Sequence, residues 1–181
     1  MDNLDLTVLR ALRDWRGSGR RALLATVVRT WGSSPRPVGS IMALRDDGTV
    51  VGSVSGGCIE DDLIERYAHA GGIPAGAPRF VRYGVSADEA HRFGLPCGGT
   101  LELLLEFEPG AASLADLVAR LEGGALVRRR VRLADGAVTL EATERPDALE
   151  RDDATLAVTF GPGWRLLLIG AGQLSEYLAT M

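Results

Sequence analysis

The chain has 181 residues, with 20 basic and 24 acidic side chains, a formal charge of -4 and 46% hydrophobic residues. That size and apolar content suit one ordinary domain, or one domain plus part of another. Every basic residue is arginine, which excludes a lysine Schiff base and a phosphate-loop lysine from this chain. The mild acidity argues against nonspecific nucleic-acid binding.

Met1-Asp2-Asn3-Leu4-Asp5 is acidic where a secretory leader is basic, and no apolar run reaches bilayer length, so no membrane span is expected. Cys58 and Cys97 are the only cysteines, and they lack the tight spacing of a disulfide framework. The expected compartment is cytoplasmic, with reduced thiols.

Leu4 to Trp15 reads as an amphipathic helix with Leu4, Val8, Leu9, Leu12 and Trp15 on one face, ended by Gly17 and Gly19. Ala22 to Val28 is an apolar run of strand formers, expected as a buried strand within 21–30. Residues 31–39 are punctuated by Gly32, Pro35, Pro37 and Gly39 and read as a loop. A hairpin follows over 40–45 and 49–54, turning at Asp46-Asp47-Gly48. A helix is expected from Ile59 to Ala70, with Glu60, Asp61 and Asp62 at its positive end. Strands are expected at 79–83 and at 100–107, where Leu101, Leu103, Leu105 and Phe107 alternate with Glu102 and Glu106.

Glu108-Pro109-Gly110 is a plausible boundary. A helix over 113–121 is expected with Ser113 as cap and Asp116 completing a capping box. A second hairpin, 126–133 with 137–142, turns at Ala134-Asp135-Gly136. Residues 145–153 read as a charged loop and 154–160 as a strand. Arg165 to Ile169 reads as a strand running into Gly170-Ala171-Gly172, with a helix-like stretch from Gln173 to Ala179. That order suits a dinucleotide fold. However, Ser175 replaces the third glycine, and the acidic residue expected ~20 positions later would lie past Met181. NAD(P) binding by residues 164–181 is therefore not expected. A strand, a turn and half a helix cannot bury their own apolar surface. They call for more chain or for a second copy in a homo-oligomer.

The expected fold class is α/β. An α+β-like part with a mixed sheet and hairpins spans 1–108, a connecting α/β segment spans 109–163, and an incomplete Rossmann-like unit spans 164–181.

Two segments concentrate the chemistry. Ser55-Gly56-Gly57-Cys58-Ile59-Glu60 and Leu95-Pro96-Cys97-Gly98-Gly99 each set a cysteine beside a glycine pair. Glycines let backbone approach a ligand and adopt positive φ. Gly56 and Gly57 precede a helix start, where free N–H groups attract anions and lower a thiol pKa. The three acidic residues that follow oppose this, and a plain strand-to-helix turn with a tucked-in Cys58 is an equal reading. Cys97 is the better candidate, since Pro96 stiffens the approach and Gly98 and Gly99 leave it uncrowded. Ser33, Ser34 and Arg36 offer hydroxyls and a planar fork for phosphate or carboxylate. The cysteine spacing, with His69 and His91, does not match a structural zinc site.

The ordered set of Thr26-Val27-Val28, Gly32-Ser33-Ser34-Pro35-Arg36, Gly39, the Asp47-Gly48 turn, the Cys58 segment and the Cys97 segment resembles the XdhC/CoxI family of molybdenum-hydroxylase maturation factors. The resemblance covers about 4–107 and resumes at 166–179. It implies a chaperone that binds molybdenum cofactor (molybdopterin) and assists its sulfuration with a cysteine desulfurase. It also implies delivery of the cofactor to an apo-hydroxylase such as xanthine dehydrogenase or carbon monoxide dehydrogenase. A family cysteine is implicated in holding the cofactor, and by setting that role falls to Cys97, with Cys58 second. Cys97 is then the candidate metal contact, through the cofactor. The implied cofactor-binding set is Cys97, Gly98, Gly99, Cys58, Gly56, Gly57, Ser33, Ser34 and Arg36. No residue is assigned a catalytic role. The competing reading is a thiol- or nicotinamide-dependent oxidoreductase.

Overall fold

The computed structural model describes residues 4–32, 36–84 and 100–162, together with Gly172, Gln173 and Glu176. Ser33, Ser34, Cys97, Gly98 and Gly99 lie outside the described residues. So do the expected strand at 165–169 and all of the glycine turn except Gly172.

Helix α1 spans Leu4–Gly17 and buries Val8, Leu9, Leu12 and Trp15. Leu4, expected on that face, is exposed. The helix closes where Gly19 takes φ 76° and Arg20 N–H donates to the Trp15 carbonyl at 2.9 Å. Strand β1 spans Ala22–Trp31, and its first seven residues are all buried. The alternation of a half-exposed strand is missing because β1 lies at the centre of a sheet covered on both faces. Ala22 and Leu24 point into one core, Leu23, Ala25 and Val27 into another.

The remaining strands of this sheet are β2 (Ile41–Arg45), β3 (Val50–Gly52), β4 (Arg79–Tyr83) and β5 (Thr100–Phe107). Their order is β3-β2-β1-β5-β4. The Asp46-Asp47-Gly48 turn joins β2 to β3 as the sequence predicts, with Arg45 N–H donating to the Thr49 carbonyl at 2.9 Å. Gly52 is fixed by space as well as by φ 87°. A Cβ there would lie 2.5 Å from the Ile41 carbonyl oxygen and 2.6 Å from Val8 Cγ2. Helix α2 (Cys58–Ile64) follows, widening into a π-helical turn over Glu65–Ala70. Ile59 and Leu63 pack it onto the second core.

Helix α3 spans Ala111–Glu122, two residues earlier than the predicted start. Ser113 is not its cap. Gly110 holds that position, and the Ser113 hydroxyl donates back to the Gly110 carbonyl at 2.9 Å. Asp116, expected in a capping box, pairs instead with Arg120 one turn on. Strands β6 (Leu126–Arg132), β7 (Val138–Thr143), β8 (Glu150–Arg151) and β9 (Thr155–Phe160) form a second sheet ordered β7-β6-β9-β8. β8 lies in the stretch expected to be loop. Every strand pair among the described residues is antiparallel, where a mixed sheet was expected.

The two sheets share one core. Leu9 and Leu12 of α1, Leu104 of β5, Leu117 of α3, and Val127 and Val158 of the second sheet belong to a single buried cluster. Glu102 and Glu106 of β5 face this side and are buried rather than solvated. Arg129 of β6 meets Glu106 through two bonds of 2.8 and 2.6 Å. Arg82 and Arg151 meet Glu102.

Candidate functional site

Register places three segments at one edge of the five-stranded sheet. Trp31, the last residue of β1, pairs with Thr100, the first of β5, and Tyr83, the last of β4, pairs with Leu101. The chain into residue 32 and the chain through residues 84–100 therefore depart from the same side. The turn carrying Arg36 returns there as well, because Val27 N–H donates to the Ser40 carbonyl at 2.9 Å and Gly39 N–H to the Val27 carbonyl at 2.8 Å. β3 reaches the same side at Gly52 and leads into the Cys58 segment. Functional loops gathered on one edge of a rigid sheet are a recurrent arrangement.

The Cys58 segment is organised by Glu60. Its Oε1 accepts from the Ser53 hydroxyl at 2.8 Å and from the N–H groups of Val54, Ser55 and Gly56 at 2.8, 2.9 and 3.2 Å. Its Oε2 accepts from Gly57 N–H at 2.9 Å and from the Ser55 hydroxyl. Ser55 Oγ also accepts from Ile59 N–H at 3.3 Å. Burial pushes the Glu60 carboxyl up, but these bonds, led by those from Ser55, outweigh it and hold the pKa at about 2. The expectation that the Gly56 and Gly57 N–H groups are free for an anion is corrected here: the chain's own carboxylate occupies them.

The two glycines serve conformation. Gly56 has φ 101° and Gly57 φ 152°, and nothing lies within 4 Å of a Cβ built at either. Cys58, the first residue of α2, is exposed and free, so the tucked-in reading does not hold. Arg36 reaches this segment, with Nε donating to the Ser53 hydroxyl at 3.3 Å. Arg36, Ser53, Glu60 and the head of α2 thus form one hydrogen-bonded chain.

The next turn of α2 is tied to the end of β4. The Tyr83 hydroxyl donates to Asp62 Oδ2 at 2.8 Å, and Arg66 Nε approaches the same oxygen at 2.7 Å. Burial, with Asp62 beside it, pushes the Tyr83 hydroxyl pKa well up. Thr100 Oγ1 donates to the Gly84 carbonyl at 3.0 Å, closing the base from which residues 85–99 depart.

Of the predicted site residues, Cys58, Gly56, Gly57 and Arg36 come together; Cys97, Gly98, Gly99, Ser33 and Ser34 lie outside the described residues. Sequence reasoning misses Ser53, Ser55 and Tyr83, and reads Glu60 only as a charge at a helix end. A signal for Glu60 is present: it stands three residues after Gly57, the spacing at which a side chain reaches back to the N-cap N–H. Among the described residues no group of three or more His, Cys, Asp or Glu side chains is set to hold a metal ion, and no helix is long and apolar enough to cross a membrane.

Residues 15–84 match the model of the XdhC and CoxI family. The chain is 36% identical over 116 residues to the molybdenum cofactor insertion chaperone PaoD of Escherichia coli (strain K12), covering 64% of this chain and 36% of PaoD. It is 40% identical over 50 residues to a protein of Bacillus subtilis (strain 168) described as a probable xanthine dehydrogenase component, covering 28% of this chain and 15% of that protein. A solved structure described as a xanthine dehydrogenase from Bacillus halodurans aligns over 98% of this chain and 48% of its own, with 26% identity and a TM-score of 0.56. The chain spans about a third of PaoD and less of the Bacillus subtilis protein.

Proposed function

We propose that this chain carries molybdenum cofactor as cargo and serves the maturation of a molybdenum hydroxylase of the xanthine dehydrogenase or carbon monoxide dehydrogenase kind. One observation carries the reading. Within the segment that matches the family model, the exposed Cys58 thiol sits at the head of α2, on a loop that Arg36 reaches through Ser53. A soft sulfur donor suits a thiophilic metal or its sulfur ligands, and a guanidinium suits an oxyanion. The similarity to PaoD supports the same direction.

In this reading Cys97, with Gly98 and Gly99, supplies the main cofactor contact and the metal contact from the segment between β4 and β5. Cys58 is the second thiol. Gly56 and Gly57 shape the loop while Glu60 holds their N–H groups. Ser33, Ser34 and Arg36 bind the cofactor phosphate. A cysteine desulfurase supplies sulfur, an apo-hydroxylase receives the cofactor, and exchange takes place in the cytoplasm. The chain acts as a carrier and not as an enzyme.

The test is cofactor uptake. Purified protein is incubated with released molybdenum cofactor, desalted, and assayed for molybdenum and for oxidised pterin fluorescence. Near-stoichiometric retention is expected, with most of it lost in Cys97→Ala and a smaller part in Cys58→Ala. Equal retention by the double alanine variant defeats the reading.

A further inference from the structure

A cleft of about 490 Å³ opens between the two sheets, lined among others by Arg29, Arg82, Glu102, Arg151, Asp152 and Asp153. Its floor follows from the register of β1. That strand carries a bulge between Val27 and Arg29, which sets Arg29 opposite Glu102, while Arg82 faces Glu102 from β4. A bulge re-aims a side chain in this way. Arg29, Glu102 and Arg82 therefore form a row across three strands, and Arg151 closes over it from β8.

The carboxylates in the cleft are mostly committed. Glu102 is buried, with Oε1 accepting from Arg82 Nε at 2.8 Å and Oε2 from Arg151 Nη1 at 2.7 Å. Asp152 Oδ1 accepts from the N–H groups of Ala154 and Thr155 at 2.8 and 2.6 Å. The guanidiniums also lie against aromatic faces, and among the described residues Arg29 has only such a face. Arg29 lies 4.7 Å and Arg82 5.7 Å from the Trp31 ring, and Arg151 lies 3.8 Å from the Phe80 ring. Among the described residues Arg29 has no carboxylate partner. Arg82 engages Glu102 through Nε alone, with its side chain 59% exposed. Only Asp153 opposes this charge with uncommitted oxygens among the described residues.

A cation would need several open carboxylates, and among the described residues only Asp153 offers one; an apolar ligand would need a mostly apolar lining, and only Val28 and Leu149 contribute to one. Held guanidinium forks with spare N–H groups recognise multiply charged oxyanions. We propose that this cleft is a binding site for a phosphate-bearing ligand, with Arg29 as its principal contact, Arg82 and Arg151 as flanking donors, and Asp153 as the group that limits affinity. The proposal is independent of the carrier reading and uses none of that site's residues.

Calorimetric titration of the full chain with pyrophosphate at constant ionic strength tests it, with succinate as a carboxylate dianion of similar reach. Pyrophosphate is expected to bind one to one, and succinate at least about tenfold more weakly. Arg29→Gln is expected to weaken pyrophosphate binding about tenfold, and Asp153→Asn to tighten it roughly threefold. Both positions are exposed, so thermal melting is expected to confirm intact folds. Absent pyrophosphate binding at millimolar concentration, equal affinity for succinate, or affinities unmoved by both substitutions would overturn the proposal. Loss of pyrophosphate binding with cofactor uptake intact removes the cleft and spares the carrier reading; the reverse result does the opposite.

Discussion

The Tyr83 hydroxyl and the Asp62 carboxylate, 2.8 Å apart, join the last residue of β4 to the helix that begins with Cys58. Tyr83 is 1% exposed, so its hydroxyl has no ready substitute in water. Tyr83→Phe is expected to cost about 1–2 kcal/mol, since Asp62 keeps its Arg66 partner. Urea unfolding is expected to show a lower midpoint with an unchanged slope. A midpoint equal to that of the parent would show that the contact holds nothing.

Glu60 makes acid sensitivity predictable. Its carboxyl is lowered from an ordinary 4.5 to about 2 by the bonds it accepts. The stability it contributes is fully present above the unfolded value and is lost as pH falls from about 4.5 toward about 2. Glu60→Gln, which sets an NH₂ among N–H donors, is expected to be less stable by about 2–4 kcal/mol at neutral pH. It is also expected to lose less on acidification than the parent does. Denaturant midpoints for both proteins at neutral, mildly acidic and strongly acidic pH check this, and parallel declines would contradict it.

Cys58 is expected to be alkylated by iodoacetamide without denaturant, because it is exposed at the first position of α2. Peptide mass mapping gives the readout. Cys58→Ser is expected to change stability by less than about 0.5 kcal/mol. A thiol that reacts only in urea would contradict the placement.

The Glu106–Arg129 pair is 4% exposed on both sides. Removing one partner, as in Glu106→Gln, is expected to cost about 3–5 kcal/mol. Replacing both, as in Glu106→Leu with Arg129→Met, is expected to recover most of that loss, because an apolar pair avoids desolvating two charges. A double variant as unstable as the single one would show that the pair does more than satisfy itself.

The sequence is most legible where local chemistry decides the outcome. The Asp46-Asp47-Gly48 turn, the β4 limits and the alternation of β5 follow from turn residues and period-two patterning. What the alternation cannot show is where the second face of β5 points. Glu102 and Glu106 look like solvent residues until the second sheet covers them with Arg151 and Arg129. The bulge after Val27 leaves no trace because a strand buried on both faces has no periodicity to interrupt. β8 reads as loop because its two residues are Glu and Arg, and only its partner strand defines it. At the site, Cys58, Gly56, Gly57 and Arg36 stand out by residue type and spacing. The grip of Glu60 on four consecutive N–H groups leaves no mark in the sequence, since it depends on how residues 54–57 fold around one carboxylate.

Glu108 shows what the shared interior means for anyone dividing this molecule. It looks like the start of a joint, yet it holds φ 50°, and its carboxylate is gripped by Arg16 and Arg21. A cut there would strip helix α3 and the second sheet from α1 and leave Leu104, Glu102 and Glu106 facing water. The severed N-terminal piece is expected to be less soluble than one that extends through Phe160, because the apolar residues of that sheet face lose their cover.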